Sequence, residues 1–209
     1  RLVPALLAAT LAASMTATPA RAVNLPPGFV VDSATPGAGL DFTTCFRFLP
    51  DGRMLVLEKR GRLWVFKNGV KNAVPTWSAE NEVLDNGDRG ALGVAVDPDF
   101  VNNRWIYLLY TVDPDSDGVD TNDDAFGRLV RYHMGTPADS NVVDPASRTI
   151  LLGMDWTHGP LVASTTHTIG TVRFGRDGSL LVSTGEGGQF TTADGGGLDP
   201  NAFGPGKTD

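Results

Sequence analysis

A short motif that occurs twice in the chain decides the fold. Residues 46–56 read FRFLPDGRMLV, and residues 172–182 read VRFGRDGSLLV. In both copies, alternating apolar residues precede a turn with Asp-Gly, and a second apolar run follows, which is typical of a β-hairpin. Residues 94–110, VAVDPDFVNNRWIYLLY, form a looser copy. The alignment makes Phe48, Val96 and Phe174 equivalent positions.

Two further strand candidates extend these hairpins. They are residues 62–67, closed by Asn-Gly, and residues 128–133. About four strands in a repeat of roughly 40–50 residues indicate a propeller blade. No helical periodicity follows residue 22, which disfavours a parallel βαβ fold. We therefore predict an all-β fold, a β-propeller, with an all-β sandwich of accidentally similar hairpins as the alternative.

The first 22 residues have the pattern of an export signal. An apolar, Ala-rich run covers residues 2–15, and Ala-Arg-Ala at 20–22 fits the small-x-small pattern of signal cleavage. We predict a signal peptide at 1–22 and a partial propeller domain at 23–209, with no membrane span after cleavage and a periplasmic or extracellular location. A membrane-anchoring helix is the alternative, although the run is short for one.

Composition narrows the classes of function. The 209 residues carry 17 basic and 24 acidic side chains, a formal charge of -7, with no basic cluster, so a nucleic-acid partner is not expected. The single cysteine, Cys45, excludes an intrachain disulfide. Gly-x-Ser-x-Gly, His-Glu-x-x-His and Walker-type motifs do not occur in the sequence.

Two polar segments are candidates for chemistry. His167 directly precedes a predicted inner strand, where loops form the mouth of a propeller, and a histidine there can act as a general base. A solvated loop histidine is the alternative. In the second segment, residues 113–118 read DPDSDG, with carboxylates at every other position, and Asp124 is twelfth counted from Asp113. This spacing suits one calcium ion, and a solvated acidic loop is the alternative. These metal candidates are Asp113, Asp115, Asp117 and Asp124.

Two segments, which follow each other in the same order as in the family, resemble motifs of the glucose/sorbosone dehydrogenase family. This family includes soluble PQQ-dependent glucose dehydrogenase and the aldose sugar dehydrogenases. Residues 88–100, DRGALGVAVDPDF, are similar to the family's Gly-Leu-Leu-Gly…Asp-Pro-Asp-Phe segment. Residues 167–178, HTIGTVRFGRDG, with GEGG at 185–188, are similar to its His-x-x-Gly-x-Leu-x-Phe-Gly-Pro-Asp-Gly…Gly-Asp-x-Gly signature.

The resemblance implies a six-bladed propeller, of which this chain would hold half to two-thirds, with pyrroloquinoline quinone (PQQ) and calcium as cofactors. It implies that a sugar or polyol is oxidised, an aldose to its lactone, with His167 as catalytic base. An external acceptor would take up the electrons. Asp88 and Arg89 would lie at the cofactor, Asp88 where the glucose enzyme has a Gln.

Some features of the sequence depart from the family pattern. Thr166, Ile169 and Arg176 replace typical residues, and the family's Arg-Asn cofactor motif, further basic anchors and calcium loop would lie beyond Asp209. The chain alone is therefore expected to be inactive, as the N-terminal portion of an exported quinoprotein. A non-catalytic propeller that binds protein or glycan is the alternative, and a calcium-dependent surface protein is a third.

Overall fold

The computed structural model describes residues 24–35, 37–116, 125–136, 139–162 and 164–187. The signal-peptide prediction for 1–22, together with Asp117, Asp124 and the segment after residue 187, lies outside these ranges. The part of the chain before Ala34 is a separate unit. Its described residues form a turn, in which the amide of Phe29 donates to the carbonyl of Pro26 at 3.2 Å.

The main unit is built from antiparallel sheets, which confirms the all-β prediction. The first sheet has the order β1-β2-β3-β4, with β5 also paired to β3. The second has the order β6-β7-β8-β9, and β10 pairs with β11 in a third. The strands are β1 Thr43–Phe48, β2 Met54–Glu58, β3 Arg62–Lys67, β4 Val70–Lys71, β5 Trp77–Ser78, β6 Ala91–Val96, β7 Trp105–Val112, β8 Phe126–His133, β9 Thr149–Leu152, β10 Ile169–Phe174 and β11 Leu180–Thr184.

The repeat positions predicted from the sequence fall on equivalent structural positions. Phe48, Val96 and Phe174 are the last residues of β1, β6 and β10, the first strands of the three sheets. The outer strand of the first sheet is divided into β4 and β5, which pair with opposite ends of β3. The described residues thus form two complete blades and the first hairpin of a third.

The looser copy departs from the predicted tight turn. A one-turn helix, α1 Phe100–Asn103, connects β6 to β7, and Arg104 ends it in the left-handed region with φ 55°. The carboxylate of Asp97 holds this connection, because it accepts from the amide of Asp99 at 2.9 Å and from the side chain of Asn103 at 2.8 Å. This connection lacks an Asp-Gly pair, and side-chain bonds stabilise it in place of a glycine turn.

Two hydrophobic clusters cover the two faces of the second sheet, and a smaller third cluster of Met54, Val56 and Phe66 lies on the first sheet. Along β7, Ile106 and Leu108 belong to the cluster shared with the first sheet, whereas Tyr107 and Leu109 belong to the cluster shared with the third. Successive side chains of a strand point to opposite faces, so β7 is buried on both sides. Each buried leucine stabilises this stacking by about 1.5–3 kcal/mol. Within the described ranges, no helix has the length and apolar character to cross a membrane.

Candidate active site

The first strands of the three sheets place their entry loops at one end of the blades. The hydroxyl of Thr44 on β1 donates to the carbonyl of Ala91 on β6 at 2.7 Å. Gly93 of β6 lies against Val172 of β10, and Gly127 at the start of β8 lies against Ile169 at the start of β10. Because β6 and β8 both pair antiparallel with β7, they run in the same direction, and β10 runs in that direction beside them. We call the loops 85–90, 164–168 and 185–187, which meet at this end, the rim.

His167 lies exposed on the rim and pairs with a carboxylate. Its Nδ1 contacts Oε1 of Glu186, and its carbonyl accepts from the amide of Gly187 at 2.9 Å. The residue has a φ of 52°, in the left-handed region that few side chains adopt, which is a strained conformation of the kind found at functional sites. The loop 164–168 and the segment 185–187 are therefore joined through both the side chain and the backbone of His167.

Electrostatics at Glu186 determine which nitrogen of His167 can act as a base. Its own backbone amide, and then the hydrogen bond from His167, lower the pKa of Glu186, so the carboxylate is ionised at neutral pH. An ionised carboxylate only accepts hydrogen bonds, so Nδ1 of His167 is the donor. In a neutral imidazole the lone pair then lies on Nε2, which is the arrangement that a general base requires.

Asp88 lies beside His167 and contacts its backbone, while its predicted contact with the cofactor stays a prediction. Oδ2 of Asp88 accepts from the amide of His167 at 3.2 Å, and its own amide donates to the carbonyl of Thr165 at 2.7 Å. The hydroxyl of Thr168 donates to the carbonyl of Asp88 at 2.9 Å. Three hydrogen bonds thus join two loops that are almost eighty residues apart in the chain. Asp88 itself is exposed, beside the imidazole.

Arg89 lies below the rim. Its side chain is fully buried, and Nη2 donates to the carbonyl of Val162 at 3.0 Å. This bond ties the loop 85–90 to the segment that leads towards His167. In this geometry the guanidinium supports the loop, and its contact with a cofactor remains a prediction.

The sequence reasoning missed two residues at this site, Glu186 within the rim and Lys59, which contacts it. Glu186 lies in the glycine-rich segment 185–188, nineteen residues after His167, and the return of the chain through the predicted hairpin could have marked it as a partner for a base. Lys59, which follows β2, donates from Nζ to the carbonyl of Gly87 at 2.5 Å. Gly87 has a φ of +55°, and a Cβ there would overlap the Thr165 carbonyl oxygen, so the two loops approach as closely as glycine permits.

The other predicted residues lie away from the rim. Asp113 is buried at the end of β7, where its Oδ1 accepts from the amide of Ser116 at 3.0 Å, while Asp115 is exposed. In the part of the chain that the structure describes, no three His, Cys, Asp or Glu side chains come together as a metal site. The calcium loop, which also needs Asp117 and Asp124, stays a prediction.

Comparison with known proteins identifies the family of the chain. The family model for glucose/sorbosone dehydrogenases matches residues 40–197. Aldose sugar dehydrogenase YliI of Escherichia coli is 31% identical over 155 residues, which cover 74% of this chain and 38% of that protein. The chain thus spans less than half the length of this relative.

Solved structures give the same result for the fold. The soluble aldose sugar dehydrogenase of E. coli, in its apo form, is 26% identical with a TM-score of 0.51, over 74% of this chain and 40% of that one. The PQQ-bound aldose sugar dehydrogenase of Streptomyces coelicolor is 21% identical with a TM-score of 0.55, over 73% and 40%. These likenesses confirm the prediction of a partial β-propeller. The chain belongs to the glucose/sorbosone dehydrogenase family.

Proposed function

We propose that this chain carries the catalytic base of an exported, PQQ-dependent dehydrogenase that oxidises a sugar or related polyol. The observation that carries the proposal is the exposed pair of His167 and Glu186 on the rim, with Asp88 holding the backbone of the histidine. The named relatives are aldose sugar dehydrogenases, one of them a PQQ-bound structure. These points favour an enzyme over a non-catalytic binding module.

The rim fits the reacting side of a bound quinone. It presents an exposed imidazole whose lone pair lies on Nε2, next to Asp88, and Lys59 supplies a cation for an anionic cofactor. We assign His167 and Asp88 to the contact with cofactor and sugar. When bound, PQQ supplies the acceptor for the two electrons and the hydrogen that leave the sugar carbon. Further cations for its carboxylates are assigned to parts of the protein outside this chain.

The chain's own residues handle the proton. Nε2 of His167 takes the proton of the sugar hydroxyl, while the C–H hydrogen of the same carbon leaves as a hydride, so an aldose becomes its lactone. Glu186 holds Nδ1–H and stabilises the imidazolium that forms, as a carboxylate does in a catalytic triad. Asp88 fixes the loop, so that Nε2 keeps its position above the reacting hydroxyl.

Reconstitution of the full-length protein tests this function. With PQQ and calcium added, we expect dye reduction with glucose or another member of an aldose panel. His167→Ala should lower kcat by about 10²–10⁴-fold, because a positioned general base contributes that much. His158→Ala is the matched control, since His158 also pairs with a carboxylate, Asp155 at 2.7 Å, but lies in the connection after β9. Equal activity of the two variants would exclude His167 as the base.

The export prediction has a separate test. The signal at 1–22 and the calcium requirement are part of the proposal and rest on the sequence. We expect the protein recovered from periplasm or medium to begin at Val23, as determined by N-terminal sequencing. Protein retained in the cytoplasm with residues 1–22 attached would contradict export while leaving the dehydrogenase proposal intact.

A further inference from the structure

The hairpin of β10 and β11 continues beyond its strands into the rim. The amide of Gly185, directly after β11, donates to the carbonyl of Thr168 at 2.5 Å. The amide of Gly187 donates to the carbonyl of His167 at 2.9 Å. Two backbone hydrogen bonds thus extend the pairing of the strands as far as the proposed base, whose imidazole contacts Glu186.

A β-bulge inside the hairpin directs the chain towards the rim. Between Ile169 and Val172, β10 has one residue more than the facing part of β11. The hydroxyl of Ser183 supports the bulge, because it accepts from the amide of Thr171 at 2.9 Å. Bulges bend a strand, redirect the side chains beyond them and are frequent next to active sites. The bulge therefore contributes to the direction in which the chain enters the rim at His167.

Gly185 packs directly against the backbone of His167. A Cβ at Gly185 would lie 2.1 Å from the carbonyl oxygen of His167, 2.5 Å from its carbonyl carbon and 2.8 Å from the carbonyl oxygen of Thr168. Real Cβ atoms essentially never approach other heavy atoms within 3.0 Å, and all three atoms belong to the backbone. A side chain at position 185 would therefore displace the His167 peptide by about 1 Å.

The backbone of His167 needs this support, because its conformation is unfavourable for a residue with a side chain. Its φ of 52° lies in the left-handed region. On one side of the residue, Oδ2 of Asp88 accepts from its amide at 3.2 Å, and on the other side the amide of Gly187 binds its carbonyl. Gly185 leaves the space that the carbonyl occupies in this conformation. The position of the imidazole therefore depends on a glycine at 185.

We propose that Gly185 is a positioning residue for the dehydrogenase reaction, because its missing side chain lets the His167 peptide take the orientation that directs Nε2 at the sugar hydroxyl. Gly185 acts only through this peptide and needs no contact with substrate or cofactor. The inference rests on the proposed function, in which His167 is the base. A misplacement of about 1 Å can slow a reaction between positioned groups by about 10²-fold.

Gly185→Ala in the reconstituted full-length protein tests this role. We expect kcat in dye reduction to fall by about 10²-fold with little change in the KM for the sugar, because the base moves while the sugar contacts remain. The displaced imidazole also loses its contact with Glu186, so ¹⁵N NMR of labelled histidines should show that the proton is no longer confined to Nδ1 of His167.

The matched control is Gly135→Ala, at the opposite end of the blades. Gly135 has a positive φ of 102°, and a Cβ there would lie 2.7 Å from the guanidinium of Arg104. This variant should lose stability in urea unfolding but keep its kcat, which separates a loss of stability from a loss of positioning. Unchanged kcat in Gly185→Ala, or an equal loss of kcat in the control, would overturn the role of Gly185.

Hydrogen exchange of the wild-type protein gives a readout that needs neither activity nor the folding of a variant. The amides of Gly185 and Gly187 should exchange at least about 10²-fold more slowly than unprotected amides, because both are bonded to the His167 loop. Unprotected exchange at these amides would overturn the proposal even if Gly185→Ala fails to fold. Unchanged kcat in His167→Ala, with both amides protected, would instead contradict the proposed function.

Discussion

Replacing Glu186 with glutamine tests the geometry at His167 most directly. The substitution removes the negative charge but keeps the shape, so Nδ1 of His167 loses the acceptor that keeps its proton there. A glutamine amide can donate to Nδ1 and favour the tautomer with the proton on Nε2, which cannot act as a base. We therefore expect a lower kcat with little change in KM.

The magnitude follows from the exposure of the pair. In serine proteases, the same change at a buried carboxylate lowers kcat by about 10⁴-fold. Glu186 is exposed, with 57% of its side chain accessible, so water screens its charge and solvates the alternative tautomers. We expect a loss of about 10- to 100-fold, without measurable loss of folding stability.

The assay has a kinetic and a spectroscopic part. Dye reduction by the reconstituted full-length protein gives kcat, and ¹⁵N NMR of labelled histidines reports which nitrogen of His167 carries the proton. Asp177→Asn is the matched control, since Asp177 is an exposed carboxylate in the turn between β10 and β11, at the other end of the same hairpin. Unchanged kcat in Glu186→Gln, together with an unchanged tautomer, would refute the role assigned to this pair.

Further predictions concern the loops, the core, acid stability and calcium. Gly87→Ala should destabilise the protein by about 1–3 kcal/mol in urea unfolding, because the added Cβ would overlap Thr165. Gly178→Ala is the control and should cost less, since Gly178 also has a positive φ but has open space around it. Equal losses of stability in the two variants would contradict the close approach of the two loops. Leu108→Ala should cost about 2–5 kcal/mol, because this side chain is buried between two sheets, and a loss below 1 kcal/mol would contradict that packing. Burial opposes ionisation of Glu82, but hydrogen bonds from Tyr110 and the arginines outweigh it and lower the pKa of Glu82. Its contribution to the free energy of unfolding is therefore complete above the ordinary pKa of 4.5 and is lost as the pH falls through the lowered pKa. Glu82→Gln should make the free energy of unfolding less dependent on pH in this acid range, and an unchanged dependence would refute the role of Glu82. Calcium titration by calorimetry should show weaker binding in Asp115→Asn if the loop 113–124 holds the ion, and identical titrations would exclude the loop.

Local sequence determined the strands and their turns. Alternating apolar residues and Asp-Gly pairs predicted β1–β2 and β10–β11, and the bounds of β3 were predicted without error. These features depend on neighbours within a few residues, because strand periodicity and positive backbone angles are local properties. The same local rules missed α1, where side chains of Asp97 and Asn103 replace a turn glycine.

Tertiary structure decided the composition of the site. His167 could be named from its position before a strand, but its contact with Asp88 needs β6 and β10 to run side by side, and its contact with Glu186 needs the register of β10 and β11. The burial of both faces of β7 likewise depends on the two sheets that cover it. Such contacts join residues far apart in the chain, so only the packing of the blades determines their distances. The apolar alternation of a strand, by contrast, depends only on the residues of that strand.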